Sequence, residues 1–377
     1  EGEPPFDLIF VDADKKRTWE YYDLLVSRRL LAPDGLLLVD NVLWKGQVLE
    51  RLEPAAALAG SEAALALPAA ERRSMALRDA LHGFSTRLAS DGRVQQLLLP
   101  LRDGLTLATL APPEGPGGLA AAAAASAAEQ AGEEPAGEEK LVAGASGSGG
   151  SDGRLAAYLR LAGSAEPAAA QALRLSAAGG AVAGGAVAGA APVQQGRLLH
   201  MLVRLSRARR VLEVGCFSGY AALWMGLALP EGGSLLSLER DERAAAVARR
   251  HLDAAGVGSR VEVRLGDALE ALRALPEGEP PFDVVVLGPA SAERLQQAAR
   301  HLAPAGLLVL VHTPAGPGGV GEGGESLLAA QVGTAVEMVH GALPGSHAVV
   351  LPSPDGDGGL LTLCVRSGPD DARLSRL

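Results

Sequence analysis

Two sets of side chains have types and spacings that could carry chemistry, and the first lies near the start of the chain. Asp12, Asp40 and Asn41 each follow an apolar run, and Lys15 comes three residues after Asp12. Two carboxylates and an amide oxygen make a hard-oxygen site that suits Mg²⁺ or Ca²⁺ and leaves positions for a substrate. A metal there would lower the pKa of bound hydroxyls, and a lysine with a lowered pKa could take the proton. Taken singly, Asp40 and Asn41 also suit a strand-end turn, and Asp12 to Lys15 a helix N-cap.

The second set is a glycine turn at residues 211–220, which read Val-Leu-Glu-Val-Gly-Cys-Phe-Ser-Gly-Tyr. An apolar run ends at two glycines four residues apart, and residues 221–228 follow with a helical composition. Strand, tight turn and helix in this order let the backbone approach a ligand, while the helix N-terminus supplies free N–H groups. Many α/β folds carry one such turn, and the dinucleotide fingerprint has a different spacing, so the turn alone is a weak signal.

Three acids lie where successive strands of this region end. Glu213 is in the glycine turn, Glu239 closes the second strand, and Asp267 follows the third. In an open α/β sheet, ligands lie beyond the carboxyl ends of the strands. An acid after the second strand can accept both hydroxyls of a ribose, and one after the third can accept an adenine amino group. Asp267 could also simply cap its helix, but the three acids in this order favour ligand binding.

Strand and helix patterns alternate from Arg210 onward and predict a doubly wound α/β domain with a parallel sheet and right-handed crossovers. Two closing strands, near 346–351 and 359–366, flank a turn-rich loop and should pair as a hairpin. The expected strands before them are 211–215, 234–239, 260–264, 282–287 and 306–311, and the expected helices are 219–229, 241–255, 267–275 and 291–302.

A repeat divides the chain. Residues 1–10 and 277–286 share Glu-Gly-Glu-Pro-Pro-Phe-Asp at an offset of 276, and similar strands follow in both places. A period this long indicates duplicated domains rather than a solenoid. Because only the second copy has the glycine turn ahead of this segment, residues 1–112 are expected to be the C-terminal half of a domain. We expect a flexible Ala/Gly/Glu-rich linker at 113–153, the second domain at 154–368 and a tail at 369–377.

Composition and charge argue against several classes of partner. The net charge is −10 without a long Lys/Arg run, which disfavours nucleic acid and anionic membranes. No apolar run reaches the roughly 18 residues that a membrane-spanning helix needs. Cys216 and Cys364 lie in apolar, strand-like contexts, so free thiols in a reducing, cytoplasmic compartment are expected. The chain opens at Glu1 without Met and is interpreted as a fragment, so targeting cannot be judged.

The motifs together resemble one family. The glycine turn, then Leu-Ala-Leu-Pro-Glu-Gly-Gly and Leu-Glu-Arg-Asp, is similar to the cation-dependent O-methyltransferases, the caffeoyl-CoA and catechol O-methyltransferase-like enzymes that use S-adenosylmethionine. This resemblance covers residues 192–311 and extends to the closing strands. Residues 1–110 match the back half of the same pattern, with Phe-Asp-Leu-Ile-Phe-Val-Asp-Ala-Asp-Lys, Leu-Leu-Leu-Val-Asp-Asn-Val-Leu-Trp-Lys-Gly and Leu-Pro-Leu-Arg-Asp-Gly-Leu-Thr-Leu-Ala.

The resemblance implies a fold and a division of roles. It implies a Rossmann-like methyltransferase sheet with a closing antiparallel hairpin, plus the back half of another such domain. It also implies S-adenosyl-L-methionine as methyl donor, a divalent metal such as Mg²⁺, and a small, vicinal dihydroxy aromatic acceptor. Lys15 falls at the general base of catechol-type members, and Asp12, Asp40 and Asn41 match the metal ligands. The implied cofactor-binding residues are Glu213, Gly215, Cys216, Ser218, Gly219, Glu239, Asp267 and Ala268.

Aligning the copies shows that neither holds the complete pattern. At the offset of 276, Asp12 corresponds to Gly288 and Lys15 to Ser291. The offset then falls to 271, so that Asp40 and Asn41 correspond to Val311 and His312. The second copy keeps the cofactor turn without the metal residues, and the first copy has the reverse.

Several interpretations stay open at this stage. The favoured one is a truncated tandem methyltransferase with a degenerate, metal-free second domain. The halves could instead complement each other across the linker, or the chain could be a non-catalytic S-adenosylmethionine-binding or interaction module. Homodimer formation and packing between the domains are also open. Residues 1–112 alone are expected to fold poorly, because in the family's sheet the strand at 7–11 lies beside the glycine-turn strand.

Overall fold

The computed structural model describes residues 4–52, 67–111, 151–176, 193–276, 278–288, 291–312, 333–334, 336–352 and 360–367. The chain divides into two compact units, one built mainly from residues 1–166 and the other from 167–353 and 358–377. Of the predicted linker at 113–153, residues 113–150 lie outside the described residues, whereas 151–153 begin a helix; the predicted tail at 369–377 also lies outside them. In the described parts of the chain, no helix combines the length and the apolar character that crossing a membrane requires.

The second unit is an α/β domain whose elements follow the predicted alternation closely. Its strands are β5 (Arg210–Val214), β6 (Ser234–Glu239), β7 (Val261–Leu265), β8 (Phe282–Leu287), β9 (Leu302–His312), β10 (His347–Pro352) and β11 (Leu360–Val365). Its helices include α4 (Ala168–Ser176), α5 (Val193–Leu205), α6 (Tyr220–Ala228), α7 (Glu242–Ala254), α8 (Ala268–Arg273) and α9 (Ala292–Arg300). The predicted Rossmann-like fold class is confirmed.

The sheet of the second unit has the order β10-β11-β9-β8-β5-β6-β7. The strands from β9 to β7 are parallel, and the β10–β11 hairpin closes the sheet in the antiparallel sense. The strand order changes direction at β5, because β6 and β7 lie on one side of it and β8 and β9 on the other. The carboxyl ends of these strands therefore flank the crevice in which open α/β sheets bind ligands.

The first unit contains a smaller sheet. Its elements are β1 (Phe6–Val11), α1 (Thr18–Ser27), β2 (Leu31–Asp40), α2 (Ala69–Ala89), β3 (Val94–Leu99), β4 (Leu105–Leu110) and α3 (Ser151–Leu161). The strand order is β1-β2-β4-β3, with β1 and β2 parallel and the other pairs antiparallel. This order repeats the β8-β9-β11-β10 half of the second unit.

The hydrogen-bonding register of the two sheets also matches residue for residue. Leu8 pairs with Leu36 in the first unit, and at the two sequence offsets Val284 pairs with Leu307 in the second. Both parallel pairs carry an irregularity at the same place, next to Phe6 and next to Phe282. Two sheets of equal register fit a duplicated domain, of which the first unit holds the back half.

Helix α3 belongs to the first unit, whereas the sequence pattern predicted that the second domain begins at residue 154. Tyr158, Leu159 and Ala162 are fully buried in the core of the first unit. The Gln96 side-chain amide donates to the carbonyl of Ala162, and the Ser164 hydroxyl accepts from Gln96 N at 2.8 Å. The structure thus places the boundary between the units at Glu166 and Pro167.

Candidate functional site

The glycine turn follows β5 and holds a backbone that ordinary residues rarely adopt. Gly215 has φ +98° and Gly219 has φ +88°, both in the left-handed region. A Cβ on Gly219 would lie 2.9 Å from the Ala248 Cβ, so this position also needs glycine for close packing against α7. A Cβ on Gly215 would meet no atom within 4 Å, so open space lies over the turn at this position.

Glu239 ties the turn to the end of β6. Its Oε2 accepts from Phe217 N at 2.6 Å, and its Oε1 accepts from Arg240 N and Asp241 N at 2.9 Å each. The amides of Gly215 and Cys216 donate to the carbonyl of Leu238, the preceding residue of β6. The carboxylate that was predicted to hold a ribose therefore lies directly against the turn predicted to hold the rest of the ligand.

Glu213 and the neighbouring small polar residues lie beneath the turn. Glu213 is 3% exposed, and its carboxyl accepts a hydrogen bond from the Ser237 hydroxyl. Burial raises the pKa of Glu213 to about 7, the Ser237 bond opposes that rise, and the negative charge of Glu239 adds to it. Burial also raises the pKa of the Cys216 thiol well above its usual value, so this thiol is a poor nucleophile. Ser218 is likewise buried.

Asp267 takes the capping role that the sequence analysis weighed as its alternative. Its Oδ1 accepts from Leu269 N at 2.8 Å and from Glu270 N at 3.1 Å, at the start of helix α8, whose first residue is Ala268. Its side chain is exposed beside the end of β6, because Gly266 N donates to the Glu239 carbonyl at 2.8 Å. The three strand-end acids thus lie along one edge of the sheet.

The first unit brings the other candidate residues together. Lys15 Nζ lies 2.7 Å from Asp12 Oδ1 and 3.1 Å from the main-chain carbonyl of Asp40. Asn41 follows with φ +62°, and its amide donates to Asp40 Oδ1 at 2.7 Å. The ends of β1 and β2 therefore meet as parallel strands should, and a cationic group already lies between the two acids.

This donor set fits a hard cation. No group of three His, Cys, Asp or Glu side chains suited to a metal occurs in the described part of the chain. The predicted set has two carboxylates and an amide instead, and the Asp12 carboxylate is 52% exposed and accessible. The Lys15 ammonium already lies against the Asp12 carboxylate and the Asp40 carbonyl, so the oxygen atoms at the ends of β1 and β2 attract a cation.

The second unit has different chemistry at the corresponding positions. Gly288 follows β8 where Asp12 follows β1, Val311 replaces Asp40 in the same register, and His312 aligns with Asn41. His312 Nε2 lies 3.0 Å from the Thr362 hydroxyl, and burial lowers its pKa. Ser291, which aligns with Lys15, caps helix α9. The cofactor candidates and the metal candidates therefore lie in different units.

Two residues that contact the candidate site were not predicted from the sequence. Phe217 has φ +50° and supplies the amide that Glu239 holds, and Ser237 supplies the donor to Glu213. Ser237 could have been found, because it is a polar residue inside an apolar strand and precedes Glu239 by two positions, on the same face. No sequence signal marks Phe217, since its role is carried by the backbone.

Comparisons with known proteins agree with this geometry. A family model described as O-methyltransferase matches residues 1–110 and 185–294. The catechol O-methyltransferase of Niastella koreensis is 40% identical over 119 residues, which cover 30% of this chain and 54% of that protein. The catechol O-methyltransferase of Mycobacterium tuberculosis is 36% identical over 133 residues, which cover 35% and 60%. These matches span little more than half the length of the curated relatives.

A solved structure is similar over a larger share of this chain. The O-methyltransferase TomG from Streptomyces achromogenes, in complex with SAM, is 29% identical with a TM-score of 0.44, covering 54% of this chain and 92% of that one. The family model accounts for two long segments, one in each unit, that together make up more than half of the sequence. The chain therefore belongs to the O-methyltransferase family.

Proposed function

We propose that this protein serves S-adenosylmethionine-dependent methyl transfer to a hydroxyl of a small acceptor, with the second unit binding the methyl donor. The observation that carries the proposal is the glycine turn closed by Glu239, with open space over Gly215. The exposed backbone of Gly215 and an acid at the end of the neighbouring strand suit a nucleoside with a charged amino-acid tail. Family membership and relatives named catechol O-methyltransferase support this reading and a vicinal dihydroxy aromatic acceptor.

The chemistry at the first unit follows from its own residues. S-adenosylmethionine, when bound, supplies a methyl group on a positively charged sulfur. Asp12, Asp40 and Asn41 would hold a divalent metal such as Mg²⁺ and so orient two adjacent hydroxyls of the acceptor. Lys15 now donates to Asp12 at 2.7 Å as an ammonium; with a metal on that carboxylate it would be released, and in its neutral form it would take the proton from the reacting hydroxyl. Methyl transfer needs a donor bound beside these residues; there the carbon–oxygen bond would form as the carbon–sulfur bond breaks, leaving an O-methyl product and S-adenosylhomocysteine.

The second unit is proposed to bind S-adenosylmethionine without metal, because Gly288 and Val311 offer no side-chain oxygen. Titration calorimetry on the full chain should show binding that EDTA leaves unchanged. Glu239→Ala should weaken binding about tenfold or more, since it removes charged hydrogen bonds from the turn. Glu262→Ala is the matched control: this strand-end acid of β7 is exposed and pairs with Arg264, so affinity should not change. No binding in either buffer, or equal loss in both variants, would refute the proposal.

A second candidate function, a non-catalytic S-adenosylmethionine-binding or interaction module, is favoured by the same replacements at Gly288, Val311 and His312. Incubation of the full chain with Mg²⁺, S-adenosylmethionine and catechol separates the two. O-methyl product that disappears in Asp40→Asn supports the catalytic reading. Donor binding without any product supports the non-catalytic module.

A further inference from the structure

Three neighbouring strands of the second unit end at one level of the sheet, and two of them are followed by glycine. The strand order is β9-β8-β5, and the pairing register puts Gly215, Gly288 and Val311 side by side. Among the described residues, a Cβ on Gly215 would meet no atom within 4 Å. One on Gly288 would meet only the Val214 carbonyl oxygen, at 3.7 Å. Space for a ligand therefore lies over the ends of both β5 and β8.

The third strand ends in a histidine. His312 closes β9, one position beyond Val311, and is partly exposed. It holds the place of Asn41, which the first unit is proposed to use beside the acceptor. Adjacent strands lie about 4.8 Å apart, so β9 and β5 are separated by roughly 10 Å across β8. An aromatic acceptor over β8 would therefore reach both the glycine turn and the end of β9.

A buried threonine holds the imidazole. His312 Nε2 lies 3.0 Å from the hydroxyl of Thr362, a residue of the neighbouring strand β11 that is 0% exposed. The hydroxyl can accept from Nε2–H, which leaves the Nδ1 lone pair to take a proton. The equivalent residue of the first unit, Thr106, is equally buried, and its hydroxyl has no hydrogen-bond partner among the described residues. A histidine paired with this threonine thus distinguishes the second unit from the first.

The protonation state of His312 suits a general base. Burial lowers the pKa of its imidazole from the usual 6.5, so the ring is neutral at pH 7. A neutral imidazole can take a proton from a hydroxyl as that hydroxyl reacts. A phenol, whose pKa is about 10, is a more suitable acceptor for such a base than an aliphatic alcohol, whose hydroxyl is much less acidic.

We infer that the second unit is a metal-independent methyl-transfer site for a phenol with a single hydroxyl, with His312 as general base and Thr362 as its positioning residue. A second, adjacent hydroxyl has no role here, because Gly288 and Val311 offer no side-chain oxygen to a metal that would bind both. The inference rests on the proposed binding of the methyl donor at the glycine turn.

The reaction balances with the residues present. His312 Nδ1 takes the proton of the phenol while the phenol oxygen bonds to the methyl carbon. The carbon–sulfur bond breaks, and its electron pair stays on sulfur. The products are a methyl ether, S-adenosylhomocysteine and an imidazolium, which returns its proton to the solvent.

The first test measures turnover of the full chain with S-adenosylmethionine and p-cresol in EDTA, with the methyl ether followed by mass spectrometry. Product should form, and His312→Gln should slow it about 100-fold or more, because a general base contributes about 10²–10⁴-fold. His312→Gln should still bind S-adenosylmethionine with unchanged affinity, which shows that the variant is folded. His347→Gln, at an exposed histidine of β10, is the matched control and should keep the full rate.

A second pair of variants tests the positioning role. Thr362→Val keeps the shape of the buried side chain and removes the hydroxyl, so kcat should fall about tenfold with unchanged donor affinity. Thr362→Ser, which restores a hydroxyl, should recover most of the rate. Thr106→Val makes the same change at the equivalent, unpartnered threonine of the first unit and should have no effect.

A readout without turnover uses the full chain with ¹⁵N-labelled histidines, bound to S-adenosylhomocysteine in EDTA. The His312 signals are identified by their absence in His312→Gln, and p-cresol should shift them while the His347 signals stay in place. Donor binding in calorimetry without product in EDTA would overturn the inference and leave the proposed donor binding intact. Equal rates of His312→Gln and His347→Gln, or unshifted His312 signals, would also overturn it. Absence of donor binding would reject both proposals.

Discussion

The burial of Glu213 favours the neutral form of its carboxyl group. Its pKa is raised to about 7, first by burial, whereas the usual value is 4.5. An acid with a raised pKa in the folded state contributes stability that is complete below its unfolded pKa and is lost as pH rises through the folded one. The second unit should therefore lose about 3 kcal/mol from this group between about pH 4.5 and 7.

Glu213→Gln should remove that dependence, because the amide keeps the shape and does not titrate. In a background with Trp19→Phe and Trp44→Phe, Trp224 fluorescence would follow urea unfolding of the second unit at several pH values. His200 has a pKa lowered to about 4 by burial, so its contribution is present above pH 6.5 and is lost as pH falls. Both proteins retain His200, and the difference between them isolates Glu213. Parallel pH profiles would contradict the assignment.

At the scale of single residues, the sequence predicted which residues lie at the candidate site better than it predicted what each of them contacts. Glu213 and the two glycines could be predicted as parts of one turn, because their spacing in and after an apolar strand leaves few alternatives, and Glu239 could be predicted as the acid that ends the next strand. Asp267 could not be decided, since an acid before a helix serves as a cap or as a ligand with the same pattern. Phe217 could not be found at all, because a left-handed φ at a non-glycine residue leaves no mark on composition.

At the scale of elements, the predicted metal ligands lie at the ends of two paired strands, and the second unit has other residues at those ends. The register of β8 and β9 equals that of β1 and β2, so three substitutions would transplant the predicted ligand set. Gly288 suits an aspartate, because a Cβ there would lie 3.7 Å from the nearest atom, the Val214 carbonyl oxygen. We expect Gly288→Asp with Val311→Asp and His312→Asn to give the second unit a divalent-metal site.

Binding of Mn²⁺, followed by electron paramagnetic resonance, would check the transplant. The full chain should bind an ion at Asp12 and Asp40, and the triple variant should bind one more. Asp12→Asn with Asp40→Asn should remove the ion of the first unit from either background. If the triple variant gained no ion, the residues alone would not define the site.

The elements themselves were largely predictable in the second unit, where β6 and β8 have the predicted bounds. Apolar runs there are bounded by glycine, proline and charged residues, which fix the ends of strands and helices. Helix α3 packs in the first unit although the predicted second domain begins at residue 154, and the difference has a physical reason. An Ala/Leu-rich helix carries its own periodicity but no information about which sheet buries it.

At the scale of the whole molecule, the first unit is a half-sheet completed on one side by a segment distant in sequence. Leu159 on α3 is fully buried in the core of the first unit, whereas Leu161 on the same helix is 46% exposed. Leu159→Ala should destabilise the first unit by about 2–5 kcal/mol, through lost burial and the cavity left behind. Leu161→Ala is the matched control and should change stability by no more than about 0.5 kcal/mol.

Urea unfolding in a Trp224→Phe background, where Trp19 and Trp44 report on the first unit, would measure both variants. Equal effects of the two leucines would show that α3 does not pack as described. The packing of α3 gives a further reason to expect that residues 1–112 alone fold poorly. A fragment ending there would lack Tyr158, Leu159 and Ala162 from its core.

The hydrogen bonds of Glu239 bear on the entropy of ligand binding. With Phe217, Arg240 and Asp241 already held by one carboxylate, the turn is ordered before any ligand arrives. Binding of a ligand there would restrict little further backbone motion in the protein. The entropy cost of ordering the turn would therefore be small, and more of the interaction energy would appear as affinity. A carboxylate has about four lone-pair sites, and three are taken, so one ribose hydroxyl could bind without displacing an amide.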